Sequence, residues 1–193
     1  MSTHSDQGGD DPAGGFAVTD EQEVFSGRVI RLCHLQLTDP DGRPFERDVV
    51  RHPGAVAVVA VDDDGVVTLV RQYRPAVGQP ILELPAGTCD MAGEPLEQTA
   101  RRELVEEAGL EAVRVERLVA IYNSPGYSDQ VTTIFLATGL RAVPTARDGV
   151  EERTMTIETV SLDDVDELIT RGDVLDETTV LGLLLARDAR RSG

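Results

Sequence analysis

A chain of 193 residues with 40% hydrophobic side chains has room for one full core and a small extra element, not for two large domains. Asp and Glu number 35 against 18 Lys and Arg, aromatic residues make up 4%, and Trp is missing, so a net charge of −17 and few stacking platforms argue against nucleic acid as a partner. Cys33 and Cys89 are too few for a disulfide framework in a chain this long, and the longest aliphatic run, Ala55–Val61, is far too short to span a bilayer, so a reduced, cytoplasmic setting away from membranes is expected.

Residues 1–20 are rich in Gly, Asp, Ser and Pro, hold no apolar run of the signal-peptide kind, and are expected to form a disordered leader. Residues 21–53 are expected to be an N-terminal β hairpin, with strands over 29–37 and 45–51 joined at Asp39-Pro40-Asp41-Gly42. The main domain is expected over residues 54–193. It opens with strands over 55–61 and 66–72 around Asp62-Asp63-Asp64-Gly65, where the aspartates lack the other ligands of a calcium loop and read as a turn. Arg74, in Gln72-Tyr73-Arg74-Pro75, ends this segment and suits either a phosphate or a surface carboxylate.

Ile81, Leu82 and Leu84 read as an apolar strand that ends at Pro85-Ala86-Gly87. Glu94-Pro95 then opens a helix, with proline at the first helical position, and Gly109 closes it. Leu96, Ala100, Leu104 and Ala108 recur every four residues as an apolar stripe, while Glu103, Glu106 and Glu107 crowd the last two turns on another face. Like charges at these spacings cost about 0.2–0.5 kcal/mol each, and the negative end of the helix dipole adds about 0.3–1 kcal/mol per carboxylate. A divalent cation reverses both effects, and hard oxygen ligands suit magnesium or manganese rather than zinc. The helix alone leaves open a plain solvated acidic face with Arg102 paired to Glu106.

Beyond the helix, strands are expected over 114–122 and 130–137, joined by Asn123-Ser124-Pro125-Gly126-Tyr127-Ser128-Asp129. Residues 139–153 read as an irregular loop containing Glu151 and Glu152, followed by a strand over 155–160. Ser161-Leu162-Asp163-Asp164 reads as a capped start for a helix to Arg171. A last helix over 176–190 has an apolar middle, Val180, Leu181, Leu183, Leu184 and Leu185, that belongs in a core.

Gly87, Glu94 and the run Arg102-Glu103-Leu104-Val105-Glu106-Glu107-Ala108-Gly109-Leu110 resemble the Nudix box, G-x5-E-x7-R-E-U-x-E-E-x-G-U with U aliphatic. Every fixed position from Glu94 onward matches; six residues, in place of five, separate Gly87 from Glu94, so the turn is longer by one. The resemblance implies an α/β fold, a Nudix-type α/β/α sandwich with a mixed sheet preceded by a small N-terminal antiparallel β-sheet. It implies hydrolysis of a diphosphate that links a nucleoside to another group, with Mg2+ as cofactor and Mn2+ as a substitute. The implied metal ligands are the Ala86 carbonyl, Glu103, Glu106 and Glu107. Cations held there would offset the diphosphate charge and lower the pKa of a bridging water. Glu106 and Glu107 are also implied as catalytic, with Arg102 orienting a box carboxylate and Glu151 or Glu152 serving as base or further ligand.

Pro125 lies sixteen residues past Gly109 in an SPG loop that resembles the subgroup hydrolysing ADP-ribose and ADP-sugars. That resemblance implies substrate contacts from Arg51, Arg74, Thr88, Ser124, Pro125, Gly126 and Asp129, and a homodimer joined through the N-terminal sheet. The implied reaction turns ADP-ribose into AMP and ribose 5-phosphate, with ADP-glucose or another nucleotide sugar as the alternative substrate. A non-hydrolytic ligand sensor on the same fold is less favoured, because Glu103, Glu106 and Glu107 are all present and no basic module accompanies them.

Overall fold

The computed structural model describes residues 13–145 and 154–192, and the chain divides into two compact units. The first takes the described residues up to His52 together with Ser124–Asp129; the second takes Pro53–Asn123 and the described residues from Gln130 onward.

In the first unit, β1 (Ala17–Ser26), β2 (Arg31–Thr38) and β3 (Pro44–Arg51) form an antiparallel sheet in that order. The β2–β3 pairing is unbroken from Arg31↔Arg51 to Thr38↔Pro44. The Asp39 carboxylate closes the turn between them, accepting from the Asp41 and Arg43 N–H groups at 2.9 and 2.8 Å. The two-stranded hairpin expected from residue 21 is in fact three-stranded, and residues 17–20, expected in the leader, lie in β1. All ten β1 residues are exposed, so the strand has no buried face from which an alternating pattern could arise. Backbone pairing to β2 holds it, with register shifts between Val18 and Asp20 and between Glu23 and Phe25. The loop Ser124–Asp129 runs along β3: Val50 N–H donates to the Tyr127 carbonyl at 2.7 Å and Asp129 N–H to the Val50 carbonyl at 3.2 Å.

The second unit is built on β4 (Ala55–Val61), an apolar run buried over six of its seven residues. Such a run suits a strand covered on both faces. Antiparallel to β4 runs β5 (Val66–Arg74), while β9 (Val131–Ala142) lies parallel to it, so the sheet is mixed. With β8 (Leu110–Tyr122) and β10 (Thr156–Ser161) the order is β10-β5-β4-β9-β8; β6 (Gln79–Glu83) pairs with β5, and β7 (Ala86–Thr88) with β4. Val56, Val58 and Ala60 share one core with Ala100, Leu104 and Ala108 of α1 (Leu96–Ala108). Ala57, Val59 and Val61 share the other with Val165 of α2 (Val165–Arg171) and with Leu183 and Ala186 of α3 (Glu177–Ser192). The alternation of a single strand thus feeds both layers of an α/β/α sandwich. Among the described residues, no helix is long and apolar enough to cross a membrane.

Three local differences from the sequence reading stand out. Residues 139–142, expected as loop, extend β9 because Leu140, Arg141 and Ala142 find partners at Ala112, Glu111 and Leu110. Pro95 is extended at ψ 140 and caps α1 from outside, one residue before the helix begins. Leu96, the expected first member of the apolar stripe, is accordingly 41% exposed, whereas Leu104 is wholly buried. Gly109 closes α1 as expected, in the left-handed region at φ 64 where glycine carries no Cβ penalty. Replacing Leu104 by Ala is expected to cost about 2–5 kcal/mol, and the same change at Leu96 less than about 0.5 kcal/mol. Urea denaturation of the two variants checks the contrast.

Candidate active site

The site begins where β6 ends. After Glu83 the chain leaves β6 through Leu84 and Pro85, and the Pro85 carbonyl accepts from Val58 N–H at 2.9 Å. The next three residues form β7, paired Ala57↔Ala86, Val56↔Gly87 and Ala55↔Thr88 with the central strand. Across this segment lies α1. The Ala86 N–H donates to Glu107 Oε2 at 2.9 Å. A Cβ on Gly87 would stand 2.0 Å from Glu103 Cδ and 2.2 and 2.5 Å from its two carboxylate oxygens. Only glycine lets the main chain pass a carboxylate this closely. Glu103 and Glu107 are therefore buried against β7, which removes the reading of a solvated acidic face for these two side chains.

Arg102 gathers the remaining acidic groups. Its Nη1 donates to Glu103 Oε1 at 2.6 Å and to Glu106 Oε2 at 3.0 Å, and its Nη2 donates to Glu94 Oε2 at 3.3 Å. Thr99 Oγ1 also donates to Glu94 Oε2, at 2.9 Å. Burial works against the guanidinium charge, but the Glu94 hydrogen bond and the charges of Glu103 and Glu106 outweigh it and raise the Arg102 pKa. The Arg102 hydrogen bond in turn holds the Glu94 carboxyl below its usual value. The extra residue between Gly87 and Glu94 does not break this link, since Glu94 still returns to the helix.

No three His, Cys, Asp or Glu side chains among the described residues form a ready metal cage. The donor chemistry nonetheless fits a hard divalent cation. Two buried carboxylates, Glu103 and Glu107, stand beside the Ala86–Gly87 main chain, and Glu106 is tied to the same arginine as Glu103. Magnesium takes one or two protein carboxylates and completes its shell with water and phosphate oxygens, so a closed protein cage is not required.

The other expected site residues fall into separate places. On the second unit, Arg74 Nε donates to Glu83 Oε2 at 2.8 Å, a buried carboxylate and not the surface one that the sequence suggested as the alternative to a phosphate. Burial pushes the Glu83 carboxyl up and the Arg74 hydrogen bond opposes it. Glu83 was not singled out in the sequence, although a lone acid inside the apolar run Ile81–Leu84 was a signal for it. On the first unit, Arg51 meets Asp129, Nη1 to Oδ2 at 3.2 Å, and Asp129 Oδ1 accepts from His52 N–H at 2.8 Å. Arg51 also forks onto Glu21, Nε to Oε1 at 3.0 Å and Nη2 to Oε2 at 2.7 Å. The Ser124 carbonyl accepts from the Tyr127 and Ser128 N–H groups at 3.1 and 2.8 Å, which turns the chain at Pro125 and Gly126. Glu151 and Glu152 lie outside the described residues.

Residues 50–179 match the family model described as NUDIX domain. The chain is 37% identical over 163 residues to an ADP-ribose pyrophosphatase of Bacillus subtilis, covering 84% of this chain and 88% of that protein. It is 38% identical over 169 residues to an ADP-ribose pyrophosphatase of Mycobacterium tuberculosis, covering 88% and 82%. A crystal structure of an ADP compounds hydrolase superposes with a TM-score of 0.80 at 22% identity, over 92% of this chain and 95% of that one, and so shares the fold.

Two outcomes follow from the geometry. Gly87→Ala is expected to drive the Glu103 carboxylate from its place and weaken Mn2+ binding by about 10–100-fold, read by titration of the metal into the folded variant. Glu21 is held down to about 2, from an ordinary 4.5, chiefly by the Arg51 hydrogen bond. Its folded value is depressed, so the stability it lends is present above 4.5 and is lost as pH falls from there towards about 2. Carboxyl NMR titration should place the Glu21 midpoint near 2 and move it towards 4.5 in Arg51→Gln.

Proposed function

The chain belongs to the Nudix hydrolase family, and from that premise we propose that it hydrolyses the diphosphate of ADP-ribose to AMP and ribose 5-phosphate, with magnesium as cofactor and manganese as a substitute. The observation that carries the reaction is the buried Glu103–Glu107 pair laid against Ala86 and Gly87. The SPG loop at Ser124–Gly126 and the names of the two relatives support ADP-ribose as the substrate.

In this reading Glu103, Glu107, Glu106 and the Ala86 carbonyl hold the cation. Once bound, it supplies charge neutralisation for the diphosphate and a more acidic water. Arg102 keeps Glu103 and Glu106 in place; it does not touch substrate. Glu151 or Glu152 takes the proton from the attacking water. Arg74 and Arg51 attract the ADP moiety in a protein whose net charge of −17 otherwise repels it. Ser124, Pro125, Gly126 and Asp129 shape the ribose side, and Thr88 contacts the substrate.

The N-terminal sheet serves as the dimerising element. Its outer strand β1 exposes Val18, Val24 and Phe25, an edge that a second copy of the chain would cover. Cys33 and Cys89 are unpaired, in keeping with a cytoplasmic protein.

Incubation with magnesium and ADP-ribose should release AMP and ribose 5-phosphate. Turnover of ADP-glucose or another nucleotide sugar, with no AMP from ADP-ribose, would overturn the substrate and keep the reaction class. Loss of a metal ligand removes several kcal/mol of charge stabilisation, so Glu107→Gln should lower kcat by at least about 100-fold. Unchanged turnover in that variant would remove Glu107 from the metal site.

A further inference from the structure

We propose that Thr179, in the first turn of α3, is a positioning residue that sets the height of the Ala86–Gly87 main chain over the box carboxylates. The inference rests on the reading of Glu103 and Glu107 as the metal-binding centre. Leu84 has left β6 and is almost wholly buried, so its N–H has neither a strand partner nor water within reach. It donates instead to Thr179 Oγ1 at 3.0 Å, across 95 residues of sequence.

The hydroxyl is oriented for this task. Thr179 is fully buried, and its Oγ1 donates to Asp176 Oδ2 at 2.7 Å while its N–H donates to the same oxygen at 2.8 Å. Asp176 is the cap of α3, and an ionised carboxylate only accepts. The hydroxyl hydrogen is therefore committed to Asp176, and a lone pair faces Leu84. From the other side, Asn123 Nδ2 donates to Thr178 Oγ1 at 3.2 Å and steadies the same turn of helix. One turn further on, a Cβ at Gly182 would stand 2.7 Å from Leu84 Cδ1, so α3 closes directly on Leu84.

Three successive residues of the turn are thus anchored to three different elements. Leu84 N–H is held by α3, the Pro85 carbonyl by Val58 of β4, and Ala86 N–H by Glu107 of α1. Ala86 is two residues from Leu84, so releasing the first anchor lets the third shift against Glu107. Valine at 179 keeps the shape and removes the acceptor; serine keeps the acceptor.

The test measures Mn2+ affinity without substrate, and kcat on ADP-ribose, well below the melting temperature of each variant. Thr179→Val is expected to bind Mn2+ about tenfold more weakly, with a matching fall in kcat, and Thr179→Ser to stay within about threefold of the parent. Ala186→Gly, a buried change on α3 away from the turn, should lower Tm and leave Mn2+ affinity alone. Parental Mn2+ affinity in folded Thr179→Val overturns the proposal, as does an equal loss in Ala186→Gly. If Thr179→Val does not fold, Thr179→Cys replaces it, since a thiol is a poor acceptor: weakened Mn2+ binding there supports the role of Thr179, and parental binding overturns it. Glu107→Gln run alongside separates the claims. Undiminished Mn2+ affinity there sinks the site itself, whereas loss there without loss in Thr179→Val sinks only the role of Thr179.

Discussion

The constraint on which the site depends is the passage of the Gly87 main chain over the Glu103 carboxylate, at a distance that leaves no room for a Cβ unless the carboxylate moves. Both partners in that contact are placed by core packing. β7 is paired to the central strand β4, and α1 is pressed on the same strand through Ala100 and Leu104 against Val56 and Val58. The spacing between turn and helix is therefore set by fully buried side chains, and the site inherits the rigidity of the core. A loop carrying the same carboxylates would not hold them to such a tolerance.

Crowding acids on one helix and burying two of them is unfavourable by itself. Arg102 offsets part of that cost by hydrogen bonding to Glu94, Glu103 and Glu106 at once, and the Ala86 N–H serves Glu107. The negative charge that remains is of the kind that suits a hard divalent cation. The first unit is held by different means. Its sheet buries Cys33 and Leu35 while leaving all of β1 exposed, and charge pairs centred on Arg51 tie strand to loop. Such a sheet has little core of its own.

Much of this was legible in the residues. The apolar run of β4, the exit of α1 at Gly109, the cap at Ser161, which closes a 3-10 turn over Leu162–Asp164 just ahead of α2, and the box itself all express local rules, in which a residue and its near neighbours determine the conformation. Where the sequence misled, the partner was distant. β1 shows no alternation because both its faces are exposed among the described residues, and the end of β9 is a strand only because β8 supplies hydrogen bonds. Glu83 was overlooked as the partner of Arg74 because only the pairing of β5 with β6 sets the two side by side. The Glu21–Arg51 pair and the Leu84–Thr179 bond carry no mark in the sequence, since the partners lie 30 and 95 residues apart.

The sequence by itself determined the chemistry that the chain offers: hard carboxylate oxygens at helical spacing, a glycine at the turn, and an arginine four residues before Glu106. Only the tertiary structure decided which of those carboxylates are withdrawn from water, which main-chain groups face them, and which helix steadies the turn from behind. The physical reason is range. Helical spacing and turn geometry are settled within a few residues, whereas burial and the pairing of a buried N–H depend on surfaces that meet only when the sheet has brought distant segments together.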